Sequence, residues 1–203
     1  MQVVCTDMDD GYMNAVKAVV GKRVRVVVDR FHVAKLYRKG LDDLRKTPLK
    51  RLKKALPEGD YNEFQGVLWL LRKNPAELTP EALEVLQGWF KYTPLLGAAY
   101  VFCYTLTAIF ETPLTPAEAK RQLLAWKQLV QESELDCFDN FLSTLDKRLE
   151  EITNYFVDRQ SSGFVEGLNN KIKVIKRRCY GIFNVGHLFQ RPFIDLVGYE
   201  KFA

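Results

Sequence analysis

Two short β-branched runs, each ending in an aspartate and separated by one helix length, limit what this chain can fold into more than any other feature. Val3-Val4-Cys5-Thr6-Asp7 is the first, and Val24-Arg25-Val26-Val27-Val28-Asp29 is the second. Between them, Asp9-Asp10-Gly11 leads into a helical stretch from Tyr12 to Val20. Strands joined through a helix of this length read as a βαβ unit with parallel strands, whose carboxyl ends lie side by side. Asp7 and Asp29 are therefore expected at one edge of a sheet, the edge at which open α/β sheets place their sites. Asp29 equally suits the N-cap of a helix opening at Phe31. For Asp7 a capping role is less natural, because Asp9 and Asp10 already stand before Tyr12.

A third acid lies far along the chain, in Ser161-Ser162-Gly163-Phe164-Val165-Glu166-Gly167-Leu168-Asn169-Asn170-Lys171-Ile172-Lys173-Val174-Ile175-Lys176-Arg177-Arg178. Helical spacing of three and four sets Asn169, Asn170, Lys173 and Arg177 on or near the face that carries Glu166. One face then offers a carboxylate, amides and cations together. The plainer reading is that Glu166 complements the helix dipole in a first turn and the basic run is a solvated face. Two distant acid-terminated strands in the same short chain favour the functional reading. Carboxylates at strand ends and on a helix form a hard-oxygen set suited to Mg²⁺ or Mn²⁺, which accept phosphate oxygens as remaining ligands. Two such ions about 4 Å apart activate a nucleophile and stabilise the leaving oxygen of an in-line phosphoryl displacement.

Thr6-Asp7-Met8 with Tyr12, Asp29-Arg30-Phe31-His32-Val33 with Lys35, and Val165 to Lys173 with Lys176-Arg177 and Tyr180-Gly181 together resemble the DDE-type transposases of bacterial insertion sequences. The resemblance is to the group with an Asp-x-x-His signature and a long helical insertion before the final glutamate. It implies a ribonuclease-H-like core in which Asp7 corresponds to the second acid of the metal-binding triad and Glu166 to the third. Asp29 and His32 correspond to the signature and, with Asn169 and Asn170, would organise the site. Lys171, Lys173, Lys176, Arg177 and Arg178 would hold DNA phosphates. The family's first aspartate lies on a strand upstream of the one ending at Asp7, and the sequence starts six residues before Asp7. The expectation is a C-terminal part of a transposase, inactive alone and binding Mg²⁺ or Mn²⁺ weakly or not at all. Asp9 and Asp10 share one short loop and are poor substitutes for an acid from the sheet centre.

The expected fold class is α/β, mainly helical by content: a partial ribonuclease-H-like core with two parallel strands, interrupted by a large all-α insertion. Residues 1–40 and 157–203 would form the core and residues 41–156 the insertion. Within the insertion, Pro57 and Gly59 end a basic helix, Thr79-Pro80 opens another, and Thr115-Pro116-Ala117-Glu118 makes a capping box. Ala117–Val130 and Leu135–Phe156 carry apolar residues at helical spacing, including Leu135, Phe138, Leu142, Leu145, Leu149 and Ile152. Four or five helices are expected from Phe31 to Phe156. Tyr92 to Phe110 holds no charge over nearly the length of a membrane span. Pro94, Gly97 and interspersed Thr and Tyr favour a buried helix at the centre of the insertion, and the N-terminal apolar run is too short for a signal peptide.

With 203 residues, 47% hydrophobic and 27% charged, the chain has the composition of a globular protein able to bury a core. Its net charge of +5 points weakly to an anionic partner, and more strongly once the cations are located. Six lie between Arg45 and Lys54 and five between Lys171 and Arg178. Neutralising phosphates releases counterions, so such clusters supply sequence-independent, salt-sensitive affinity. Neither zinc-finger spacing nor a clear helix-turn-helix is visible, so end-specific recognition is expected elsewhere. Cys5, Cys103, Cys137 and Cys179 are scattered without a Cys-x-x-Cys pair, which argues for reduced thiols in a cytoplasmic protein. His187 lies in an apolar helical segment with Phe183 and Leu188, and no Gly-x-Ser-x-Gly elbow is present.

Expected partners are the ends of an insertion element and target DNA, together with further copies of the chain or a full-length transposase, and no membrane. The expected reaction is metal-dependent DNA cleavage and strand transfer. The alternatives are a non-catalytic remnant that binds DNA or full-length transposase, and a ribonuclease-H-like nuclease acting on branched DNA.

Overall fold

The computed structural model describes residues 3–21, 24–55, 59, 66–133, 135–178 and 184–202. Two compact units are present, Met1–Gln160 and Ser161–Ala203. The first contains a parallel strand pair, β1 (Val3–Thr6) and β2 (Arg25–Val28), linked through α1 (Asp10–Val20). The expected βαβ unit is therefore formed, in a register that sets Val3 against Arg25 and Thr6 against Val28. The Asp29 N–H donates to the Thr6 carbonyl at 2.9 Å and continues the pairing one residue beyond β2. Val26, Val27 and Val28 are buried, as a strand covered on both faces requires.

The remainder of the first unit is helical: α2 (Arg30–Leu44), α3 (Lys46–Ala55), α4 (Val67–Leu70), α5 (Pro80–Tyr92), α6 (Pro94–Glu111), α7 (Pro116–Glu132), α8 (Asp139–Thr153) and α9 (Tyr155–Asp158). Single 3₁₀ turns occupy Pro75–Glu77 and Asp136–Phe138. The molecule is thus a mixed α/β chain, mostly helical, with two parallel strands among the described residues. Start signals read from the sequence work as expected. Thr79 caps α5 by accepting from the Ala82 N–H, and Thr115 and Glu118 complete a reciprocal capping box on α7. Pro80 and Pro116 sit where a missing N–H costs nothing.

Helices outnumber the four or five expected between Phe31 and Phe156, for local reasons. α4 has four residues, too few to show a period. The segment Leu135–Phe156, expected as one helix, is a 3₁₀ turn, α8 and α9 in succession, with Arg148 off helical geometry (φ −128°, ψ 21°). Apolar spacing survives these breaks, because Leu135, Phe138, Leu142, Leu145 and Ile152 are all buried. Phe141, between two of them, is buried as well. The expected stop at Pro57 lies outside the described residues.

The core of this unit is aromatic. Trp126 makes edge-on contacts with Phe102, Phe138 and Phe141, and its indole N–H donates to the Phe102 carbonyl at 3.0 Å. Phe110 stacks on Phe156 with ring centroids 5.5 Å apart. Each such pair contributes about 0.5–1.5 kcal/mol beyond the area it buries. α6 is long and apolar enough to cross a membrane. Its inward residues Leu96, Ala99, Cys103, Leu106 and Phe110 are buried, and the helix packs against α2, α5 and α7. At its centre the Tyr37 and Thr107 hydroxyls share a hydrogen bond of 2.9 Å. The strand pair is tied to the helices by polar contacts. Asn154 Nδ2 donates to the Val26 carbonyl at 2.9 Å, Lys17 pairs with Glu151 at 3.0 Å, and Arg25 pairs with Asp158.

Cys5, Cys103 and Cys137 are free thiols. Burial, the largest cause in each case, pushes Cys5 and Cys137 up to about 11 and Cys103 up to about 12. Cys179, Tyr180, Gly181 and Phe183 lie outside the described residues.

The second unit pairs α10 (Gly163–Arg178) with α11 (Val185–Phe202). Ile175 is buried and Leu168 and Ile172 are half-buried, giving α10 one inward stripe at helical spacing.

Candidate functional site

At the carboxyl end of the strand pair, paired positions Thr6 and Val28 deliver Asp7 and Asp29 to the same sheet edge. The two acids do different things there. Asp29 is 1% exposed and accepts from the Phe31 N–H at 2.6 Å, so it is the N-cap of α2. Its second oxygen faces the Cys5 thiol, with Sγ 3.9 Å from Oδ2. The sequence left the cap and a site role both open; the cap is what the geometry shows. Removing it by Asp29→Ala is expected to destabilise the chain by about 1–2 kcal/mol. Urea unfolding measures this, with Asp29→Asn, which keeps an acceptor, losing less; equal midpoints for wild type and Asp29→Ala would contradict it.

Asp7 is half-buried, and its Oδ1 accepts only a local bond from the Asp9 N–H, at 3.1 Å. The cap of α1 is Asp9, whose carboxylate accepts from the Tyr12 N–H at 3.0 Å. That division of labour leaves Asp7 as the strand-end carboxylate with no helix to cap. His32, in the first turn of α2, is half-buried and meets the Phe31 ring edge-on at 5.6 Å.

In the second unit Glu166 occupies the first turn of α10, half-buried, with the Ser162 hydroxyl 3.5 Å from its Oε1. Asn169, Asn170, Lys173, Lys176, Arg177 and Arg178 are all exposed on the same helix. Lys171 differs: it is half-buried, and its Nζ lies 3.4 Å from the Asp195 carbonyl oxygen of α11. Four of the five expected phosphate-holding cations are thus available to solvent, and the fifth is turned toward the partner helix. Spacing alone did not separate them, because α11 was needed to define the inward side.

Whether these residues fit a divalent cation turns on donor chemistry and grouping. Carboxylate oxygens at a strand end and in a helix first turn suit a hard ion. Among the described residues, however, no group of three or more His, Cys, Asp or Glu is placed to hold one. Asp7 in the first unit and Glu166 in the second each offer donor oxygens of the hard type.

A basic region on the helical part went unread in the sequence. Lys35, Arg38 and Lys39 of α2 line a recess of about 320 Å³ together with Arg72. Their spacing of three and four residues was the available signal.

The sequence model of a transposase family, the ISL3 type of DDE transposase, matches residues 1–191. The chain belongs to this family. The match runs through both units, from β1 into α11. Among curated proteins, the transposase for insertion sequence element IS1001 of Bordetella parapertussis is 27% identical over 190 residues, 93% of this chain and 46% of that protein. The transposase for insertion sequence element IS1557 of Mycobacterium tuberculosis is 24% identical over 137 residues, 68% of this chain and 30% of that protein. The chain thus spans less than half the length of the relatives it matches. No solved structure matches it.

Proposed function

We propose that this transposase chain carries two carboxylates of a ribonuclease-H-like centre for DNA cleavage and strand transfer. The observation that carries the reading is the division between Asp9, which caps α1, and Asp7, which ends β1 and caps nothing, in a chain whose residues 1–191 match a transposase family. In this reading Asp7 and Glu166 are ligands for Mg²⁺ or Mn²⁺, with a further carboxylate needed to complete the cage. A divalent ion bound there would stabilise the negative charge on the phosphoryl and leaving oxygens and lower the pKa of a water nucleophile. The chain's own residues do the positioning. Asp29 rigidifies the sheet edge beside Asp7, and Asp29 and His32 fix the start of α2. Asn169 and Asn170 orient the groups near Glu166, and Lys173, Lys176, Arg177 and Arg178 hold backbone phosphates. The overall step is in-line attack of water or a 3′-hydroxyl oxygen on phosphorus, with one P–O bond formed and the 3′ oxygen departing.

Insertion-element ends and target DNA are the proposed partners, with self-association or association with a longer transposase. The exposed cations of α10 give the binding half of the reading a direct test. Replacing Lys173, Lys176 and Arg177 together by Ala is expected to weaken duplex binding and lower its log–log salt slope by about 0.9 per lost phosphate contact. Fluorescence anisotropy across a salt series measures it. An unchanged slope would remove α10 from the DNA interface.

A further inference from the structure

We propose that the recess between α2 and the turn after α4 binds single-stranded DNA, with one base stacked on Trp69. This rests on the reading of the chain as a protein that handles DNA. The sequence Val67-Leu68-Trp69-Leu70-Leu71 sets the geometry. Val67 and Leu71 are both buried and anchor the short helix, which turns Trp69 outward to 65% exposure. A single exposed aromatic is ordinary on a protein surface; Trp69 counts here because its ring adjoins Arg72, which lines a basic recess. The other two tryptophans, Trp89 and Trp126, are buried.

Arg72 links the ring to the recess. Its guanidinium carbon lies 5.5 Å from the Trp69 ring centroid, and its Nη2 lies 3.1 Å from Asp42 Oδ2. The position of the turn is fixed from α6, where the Tyr100 hydroxyl donates to the Lys73 carbonyl at 3.0 Å. Two adjoining recesses, of about 260 and 320 Å³, share Arg38, Leu41, Leu71 and Arg72. Together they are lined by the cations Lys35, Arg38, Lys39, Arg72 and Lys73. Three acids also face them, but Glu111 is paired with Arg30 at 3.1 Å, and Asp42 is shared between Arg72 and Arg45. The surplus is positive. A basic groove tracking a backbone, beside an aromatic platform for a base, is the arrangement by which proteins hold single strands without reading sequence. A stacked duplex offers no free base face to Trp69, so the surface favours unpaired nucleotides.

The burial pattern supplies the readout, because Trp69 is the one tryptophan of the three open to a quencher. With the full chain, titration with oligothymidylate is expected to quench tryptophan emission. Trp69→Ala should weaken oligothymidylate binding about tenfold to a hundredfold while leaving duplex binding unchanged. Trp69→Phe should keep most of the affinity and lose the quenching. Arg38→Ala should lower the single-strand salt slope by about 0.7. An abasic strand of equal length is expected to bind more weakly than oligothymidylate and to leave the emission unchanged. Equal binding of abasic and thymidylate strands, or wild-type single-strand affinity in Trp69→Ala, would overturn the proposal while leaving the transposase reading intact. Failure of the chain to bind DNA of any form would overturn both.

Discussion

Gly40→Ala is expected to destabilise the chain by about 3 kcal/mol or more, lowering the melting temperature by about 10 °C. The direction is opposite to that of the same change in an ordinary helix, where replacing glycine stabilises by about 1 kcal/mol. What reverses it is the close passage of α2 across the 3₁₀ turn Asp136–Phe138. A β-carbon at Gly40 would lie 2.0 Å from the Cys137 carbonyl oxygen and 3.0 Å from its carbonyl carbon. The obstacle is backbone, so no side chain can swing aside; the helix and the turn must part. Parting them loosens Phe138, which is fully buried and holds Trp126 and Phe102 edge-on. Gly167→Ala in α10 is the matched control, since a β-carbon there meets nothing within 4 Å. Calorimetry or urea unfolding of the two variants should show a large loss for the first and none for the second. A Gly40→Ala protein as stable as wild type would contradict the packing of α2 on the turn.

In a form of the protein extended upstream to supply a further carboxylate, Glu166→Gln is expected to lower metal-dependent DNA cleavage by about a hundredfold or more, with Asp7→Asn at least as severe. Both substitutions keep side-chain size and remove charge, so the loss reports ligation rather than packing. Folding should survive, because Asp7 accepts a bond from the nearby Asp9 N–H, Glu166 lies half-buried in the first turn of α10, and both substitutions keep an oxygen acceptor. Asp29→Ala is the instructive contrast. Its carboxylate is the cap of α2, so its effect should appear first in stability and only through stability in activity.

The strand pair and its aspartates were legible because buried parallel strands give continuous apolar runs, and the helix between them has only one way back to the sheet. Caps at Thr79 and Thr115 were legible because their side chains act within four residues. Features that depend on what a distant element contributes were not. Asp29 read equally as a cap; what the sequence hid is its near-complete burial, with the Cys5 thiol of β1 facing its second oxygen. Lys171 looked like its neighbours until α11 supplied the Asp195 carbonyl. Trp69 sits in a helix too short to show a period, and only the burial of Val67 and Leu71 reveals that it points outward. The breaks around Arg148 and Asn154 were hidden because the inward stripe continues through them.

The central claim, that Asp7 and Glu166 belong to one catalytic centre, is tested most directly by nicking and strand joining on labelled DNA with Mg²⁺ or Mn²⁺. The 203-residue chain is compared with a form extended upstream by the segment that would supply a further carboxylate, each with and without Glu166→Gln. Activity in the extended form alone, abolished by Glu166→Gln, is the predicted result. Cleavage that survives Glu166→Gln would contradict the assignment of the centre, and cleavage by the 203-residue chain that still needs Glu166 would show that Asp7 and Glu166 require no third carboxylate from outside.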